Sequence, residues 1–120
     1  MKTTHYSIAL AAISALMLTG CHSAQPHVLG ATPPGADIVT VHAASSLSPG
    51  KTVTVRGEMT EKCPVAGCWF MLKDGSGIVR VDTKAAGFVV TDVPLHTTVT
   101  VAGTVSPGDQ PGVSATGVSY

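Results

Sequence analysis

The sequence predicts an all-β domain, a small barrel of five strands. Three observations predict it. Apolar residues recur with a period of two through most of the chain after Lys51, no stretch of about ten residues carries a helical stripe, and Gly, Pro and Asp clusters punctuate the alternating runs. The chain is 120 residues long, so it holds one small domain at most.

The first element is not part of that domain. Lys2 followed by the apolar run Ser7 to Leu18 has the charge and length of a signal peptide, and the run is too short to span a bilayer as a mature helix. It ends in Leu18-Thr19-Gly20-Cys21, which resembles the bacterial lipoprotein box, cut before the cysteine so that its thiol takes the lipid. Residues 1–20 are therefore read as the leader, Cys21 as the lipidation site, and several acyl chains there would anchor the chain stably. His rather than Asp at position 22 points, by the sorting rule of such lipoproteins, to the outer membrane facing the periplasm. Residues 21–35 contain Pro26, Pro33, Pro34 and Gly35 without apolar period, and read as a flexible tether. Residues 36–120 remain for the folded domain.

Within that domain Ile38 to Val41 is a short apolar lead-in, left out of the strand count. Lys51 to Lys62 sets Val53, Val55, Gly57 and Met59 on one face and Thr52, Thr54, Arg56, Glu58 and Thr60 on the other, one long half-buried strand with a bulge or bend suggested at Gly57. Cys68 to Lys73 and Ile78 to Asp82 flank Asp74-Gly75-Ser76-Gly77 and form a hairpin. Thr97 to Val105 and Gly112 to Tyr120 are the last two strands, divided by Ser106-Pro107-Gly108 and Pro111. Lys84 to Val93 is the foremost place for a helical turn, and Ala43 to Ser48 is the other. Five strands with a connecting element between the third and fourth is the order of an OB-fold. A small β-sandwich is the alternative, though it ordinarily needs about seven strands.

Composition and motif content exclude several functions. Seven Lys plus Arg balance seven Asp plus Glu, so no basic stripe holds a polyphosphate backbone and nucleic acid is not an expected partner. No Ser lies in a G-x-S-x-G elbow, and His96 has no flanking motif, so no hydrolase is indicated. Asp74-Gly75-Ser76-Gly77 joins two strands and opens no helix, which removes a phosphate-binding loop. The expectation is a protein without enzymatic activity.

With Cys21 assigned to lipid, Cys63 and Cys68 remain. In an exported domain such a pair reads first as a disulfide, and a ring this small contributes about 2 kcal/mol. The alternative is a soft-metal site, because Met59, Cys63, Cys68 and Met71 place two thiols and two thioethers within thirteen residues, a ligand set that selects copper(I). His22, His27, His42 or His96 could add a ligand, while Met59 and Met71 also fit as core filler. Zinc lacks a second cysteine pair, and a thiol-disulfide oxidoreductase lacks its C-x-x-C and βαβ context. Trp69 is the sole tryptophan, a candidate ligand-stacking ring of the kind OB-folds carry on their second and third strands. Its shared parity with Met71 instead favours the inner face continued from Met59.

Gly50-Lys51, Val55-Arg56-Gly57-Glu58-Met59, Cys63, Gly67-Cys68-Trp69, the Asp74-Gly75 turn, Arg80-Val81, Gly87-Phe88-Val89-Val90 and a late Val-x-Gly together resemble an uncharacterised family of small exported bacterial domains with an OB-like fold and a C-x4-C-W motif. The resemblance runs from about Ile38 to Val105. It implies architecture and an exported location, and brings no activity. Where that family tends to place Met after the Trp, this chain has Phe70 and then Met71. The sequence thus leads to a lipid-anchored envelope protein whose domain binds a protein, glycan or small ligand without a cofactor, copper being the alternative.

Overall fold

The computed structural model describes residue 20 and residues 25–109 and 112–120. The expected leader, apart from Gly20, and the expected lipidation site Cys21 lie outside the described residues. Among the described residues, seven strands and one helix follow in the order β1 (Val28–Gly30), β2 (Ile38–Val39), α1 (Val41–Ser45), β3 (Thr52–Lys62), β4 (Trp69–Asp74), β5 (Gly77–Asp82), β6 (Thr98–Val105) and β7 (Gly112–Ser119).

Five of these close a barrel. β3 pairs antiparallel with β4, β4 with β5, and β6 with both β3 and β7, while β5 and β7 pair in parallel from Arg80↔Gly112 to Asp82↔Ser114. Each of the five therefore has two neighbours, which leaves no long open edge. The five predicted strands are these five. The inward residues are mostly β-branched, which suits a small pleated interior: Val53, Val55, Met59, Phe70, Leu72, Val79, Val81, Val99, Val101, Val105, Val113, Ala115 and Val118 are buried.

The two short strands use what closure leaves over. β2 pairs in parallel with Thr54–Val55, on the flank of β3 that β4 occupies only further along. β1 pairs antiparallel with Gly117–Ser119, past the point where β5 leaves β7. His27 exchanges both backbone bonds with Tyr120 at 2.9 and 3.0 Å, and their rings stack 5.1 Å apart. Residues 27–31, assigned to the tether on composition, are thus a docked strand and its flanks, and Pro33 is buried.

The helix lies at the second of its two candidate places. Thr40 Oγ1 accepts from Ala43 N–H at 3.1 Å as N-cap, and Asp74 Oδ2 accepts from Val41 N–H at 2.8 Å. Residues 84–93, the foremost candidate, run instead as successive turns, with Gly87 N–H bonded to Lys84 C=O and Val93 N–H to Val90 C=O. Val89, Val90 and Thr91 are poor helix formers, and Pro94 denies the segment a donor. Val90 and Val93 are nevertheless fully buried and add to the core.

Asp74 links hairpin and helix. Its Oδ1 accepts from Ser76 N–H at 2.7 Å, the Ser76 hydroxyl and Gly77 N–H at 3.2 Å. The Ser76 hydroxyl above all, and then the Val41 amide, hold its carboxyl below the usual range. Asp74→Ala is expected to cost about 1–2 kcal/mol at neutral pH, the worth of a cap and its turn bonds. A lowered folded-state pKa places this stabilisation in full above the ordinary carboxylate value of about 4, and it is lost as pH falls through the folded value. Urea midpoints of wild type and Asp74→Ala should therefore draw together as pH falls below the ordinary carboxylate value; a gap that does not shrink down to the lowest pH at which the wild type stays folded would contradict the assignment.

Candidate functional site

The β4–β5 hairpin decides which side chains face outward. The two-residue turn pairs Asp74 with Gly77, so Leu72 lies opposite Val79 and Phe70 opposite Val81, while Met71 lies opposite Arg80 and Trp69 opposite Asp82. The apolar pairs turn inward, and Phe70 and Leu72 are fully buried. Trp69 and Met71 are half-exposed on the outer face. The expectation that they continue the inner face from Met59 is corrected here. Met59 pairs with Leu72, and a bulge before Glu61 then shifts the register so that Glu61 faces Met71. The irregularity falls after Met59 and not at Gly57, where the ladder to Val99 is unbroken.

On this face Met71, Ile78, Arg80 and Asp82 line an open groove of about 540 Å³, with Ser106, Gly112 and Val113 on its far bank. The Arg80 guanidinium carbon stands 4.8 Å from the centre of the Trp69 ring, a cation–π contact beside the groove. Ile78 is 54% exposed, so apolar surface is on offer next to one cation and one carboxylate. Asp82 Oδ1 also accepts from Lys84 N–H at 2.9 Å, which fixes that carboxylate at the end of β5. Trp69 is legible from sequence as a ligand-stacking ring and Met71 only as a copper ligand; Ile78, Arg80, Asp82 and the loop between β6 and β7 become visible only with the fold.

The thiol pair lies at the other end of β4 from the hairpin turn. Cys63 and Cys68 are both half-buried, and they are unbridged in the structure. Cys63 N–H donates to Trp69 C=O at 3.0 Å, closing the neck of the 63–68 loop. The nearby backbone amides, of Ala66 first and Val65 next, with smaller contributions from Gly67 and Cys68, outweigh burial and lower the Cys63 pKa to about 7 from an ordinary 9.0. Gly67 holds φ +60, a conformation that few other residues adopt, and a Cβ there would collide with Thr91. The segment before β6 braces the loop: Val90 N–H donates to Gly67 C=O at 2.9 Å, and Lys62 Nζ donates to the carbonyls of Thr91 and Val93 at 2.9 and 2.6 Å.

Two of the wider copper ligand candidates, Met59 and His96, lie away from these thiols, and His22 lies outside the described residues. Met59 is fully buried in the barrel. His96 binds Glu58 through Nδ1 at 2.6 Å, and Glu58 lies five residues before Cys63, about 15 Å along the strand. Among the described residues no three His, Cys, Asp or Glu side chains converge as a metal site.

Three comparisons with known proteins bear on this arrangement. The sequence model of the Bacterial OB fold (BOF) protein family matches residues 18–113. The structure of the hypothetical protein YgiW from E. coli is similar, with a TM-score of 0.54 and 26% identity, over 72% of this chain and 91% of that one. A chain of the S. pombe Stn1–Ten1 complex is similar in fold alone, with a TM-score of 0.51 and 16% identity, over 68% of this chain and 74% of that one. No curated protein matches the sequence. With four-fifths of its length matched by the family and the closed barrel on the page, the chain belongs to the bacterial OB fold (BOF) family.

Proposed function

We propose that this protein is a non-enzymatic binding module of the bacterial cell envelope, anchored through lipid on Cys21, that takes its ligand in the groove on the outer face of β4 and β5. The observation that carries the reading is the placement of Trp69, Met71, Ile78, Arg80 and Asp82 together on the hairpin face that OB-folds use for ligands. A half-exposed aromatic ring, an exposed aliphatic side chain and one charge of each sign form the usual composition of a small binding site, apolar with a few orienting polar groups. The chemistry suits a glycan, a peptide or a small molecule with an apolar face and an anionic group for Arg80. The even charge balance argues against nucleic acid. No cofactor is required, and Cys63 and Cys68 are read as a disulfide in the oxidising compartment.

Trp69 is the only tryptophan, and its ring contacts Arg80 of the groove wall, so its emission reports on changes at Arg80. The full chain, exported and purified in detergent, is titrated with soluble envelope glycan fragments, short peptides and anionic small molecules in turn. Saturable change with one class, weakened at least ten-fold by Arg80→Ala and by Ile78→Asp, is the expected result. A ligand whose affinity is indifferent to both substitutions would place binding elsewhere and overturn the proposal.

A further inference from the structure

The two charges of the groove are held apart, each by a different neighbour. Arg80 and Asp82 both line it and are alternate residues of β5, so their Cα atoms are about 7 Å apart on one face, close enough for an arginine to reach a carboxylate. Among the described residues, however, the one ion pair is that of His96 with Glu58. The Arg80 guanidinium lies instead over the Trp69 ring at 4.8 Å. Asp82 Oδ1 takes the Lys84 N–H at 2.9 Å, and Oδ2 receives no bond from the described residues. Met71 stands directly opposite Arg80, and Ile78, 54% exposed, is the next outward residue of β5. Lys73, opposite Ile78, and Glu61, opposite Met71, are the neighbouring charges by register, and neither lines the groove. A cation, a carboxylate and an apolar patch therefore share one short stretch of groove, and the two charges do not neutralise each other.

We propose that the groove is a site for a free α-amino acid with an apolar side chain, Arg80 taking its carboxylate, Asp82 its ammonium, and Met71 with Ile78 its side chain. The proposal rests on the groove being the ligand site and names the ligand class. An α-amino acid carries its ammonium nitrogen and carboxylate oxygens about 3 Å apart, and a charge-assisted bond of about 2.8 Å on either side extends the span to about 8 Å, which suits side chains rooted at alternate strand positions. The guanidinium fork can take the carboxylate in two parallel bonds, and its stacking on Trp69 fixes it before the ligand arrives, which lowers the cost of ordering it. The Lys84 amide fixes the carboxylate of Asp82 in the same way. A ligand with only one of the two charges leaves either Arg80 or Asp82 covered and unpaired, so the site discriminates against it. Interior residues of a peptide lack both charges and are not ligands of this kind.

The test uses the full exported chain in detergent, titrated with leucine, with N-acetyl-leucine, which lacks the ammonium, and with leucinamide, which lacks the carboxylate, and followed by its amide resonances. Leucine should shift Met71, Ile78, Arg80 and Asp82 saturably with a Kd of about 1 mM or below, and each derivative should bind about ten-fold more weakly. In Asp82→Asn, which keeps an acceptor for the Lys84 N–H, leucine and N-acetyl-leucine should bind alike. In Arg80→Gln, leucine and leucinamide should bind alike. Resonances of Val55 and Val101 in the barrel, unmoved in both variants, establish that the fold is kept. Leucine without a saturable response at about 20 mM overturns the proposal, as does a derivative that matches leucine on wild type or a preference that survives its variant. If a glycan, a peptide or a singly charged molecule then saturates the groove in a manner sensitive to Arg80→Ala and Ile78→Asp, the amino acid assignment falls and the groove stands. If no class does, the groove falls with it.

Discussion

Phe70→Ala is expected to destabilise the domain by about 3–5 kcal/mol, while Trp69→Ala, one residue away and larger by volume, is expected to cost about 1 kcal/mol. Phe70 is 0% exposed and packs between Leu72, Val81 and the strands facing them, so its removal opens a cavity that a five-stranded barrel closed on all sides cannot collapse to fill. Trp69 projects outward, half-exposed, and its loss removes the cation–π contact with Arg80 together with part of its burial. A domain of this size has about 5–15 kcal/mol in total, so Phe70→Ala consumes a large part of it and is expected to be partly unfolded at 37 °C. Urea unfolding followed by circular dichroism gives the comparison without depending on the tryptophan that one variant lacks. Equal midpoints for the two variants, or a reversed order, would mean that the hairpin faces are exchanged and that the groove does not exist as described.

That pair of residues also marks where the sequence is readable and where it is not. The barrel strands are legible because each carries its own signal, period two between Gly, Pro and Asp clusters, and closure requires nothing that those segments do not display. The orientation of Trp69 is encoded as well, but in the hairpin and not in the strand. A two-residue turn at Gly75-Ser76 forces Met71 opposite Arg80 and Trp69 opposite Asp82, and two charged partners on one face point that face to water. Continuing parity from Met59 leads the other way because a bulge of one residue lies between Met59 and Glu61, and no Gly or Pro announces it. β1 has no signal of its own: three residues have no period, and Val28–Gly30 pair only because the end of β7 is left without a neighbour once β5 has departed. α1 depends likewise on a distant carboxylate, that of Asp74, at its first amide. The cysteines are plain in the sequence, whereas the bonds that Val90 and Lys62 make to the loop and strand around them come from residues about thirty positions further along the chain. Local chemistry is written in the residues; the bracing around it is written in the tertiary contacts.

Gly117→Ala tests the part of the fold that composition conceals. Gly117 lies in β7 opposite Gly30, and a Cβ added there would overlap the Ala31 carbonyl, with the Ala31 nitrogen 3.1 Å away. Backbone cannot rotate aside as a flexible side chain does, so either β7 shifts or β1 leaves. β7 is held by β6 along its length to Ser119 and by β5 at Gly112–Ser114, whereas β1 is held only by the ladder from Val28↔Ser119 to Gly30↔Gly117, the bonds of His27 with Tyr120, and that of Ala31 with Thr116 at 3.0 Å. The weaker attachment gives way, and the expected result is release of β1 with the barrel intact, at a cost on the order of 2 kcal/mol. Amide exchange should show protection at Leu29, Ala31 and Tyr120 collapsing in the variant while protection at Val81 and Val101 persists. The functional consequence is one of reach. With β1 docked, the chain between Cys21 and His27 extends at most about 20 Å, against about 50 Å if it ran free to Ala36, so a lipid on Cys21 would hold the groove close to the membrane in one case and let it range in the other. Persistent protection at Leu29 and Ala31 in Gly117→Ala would show that β7 yields instead, and that the N-terminal strand is integral to the barrel and not an attachment to it.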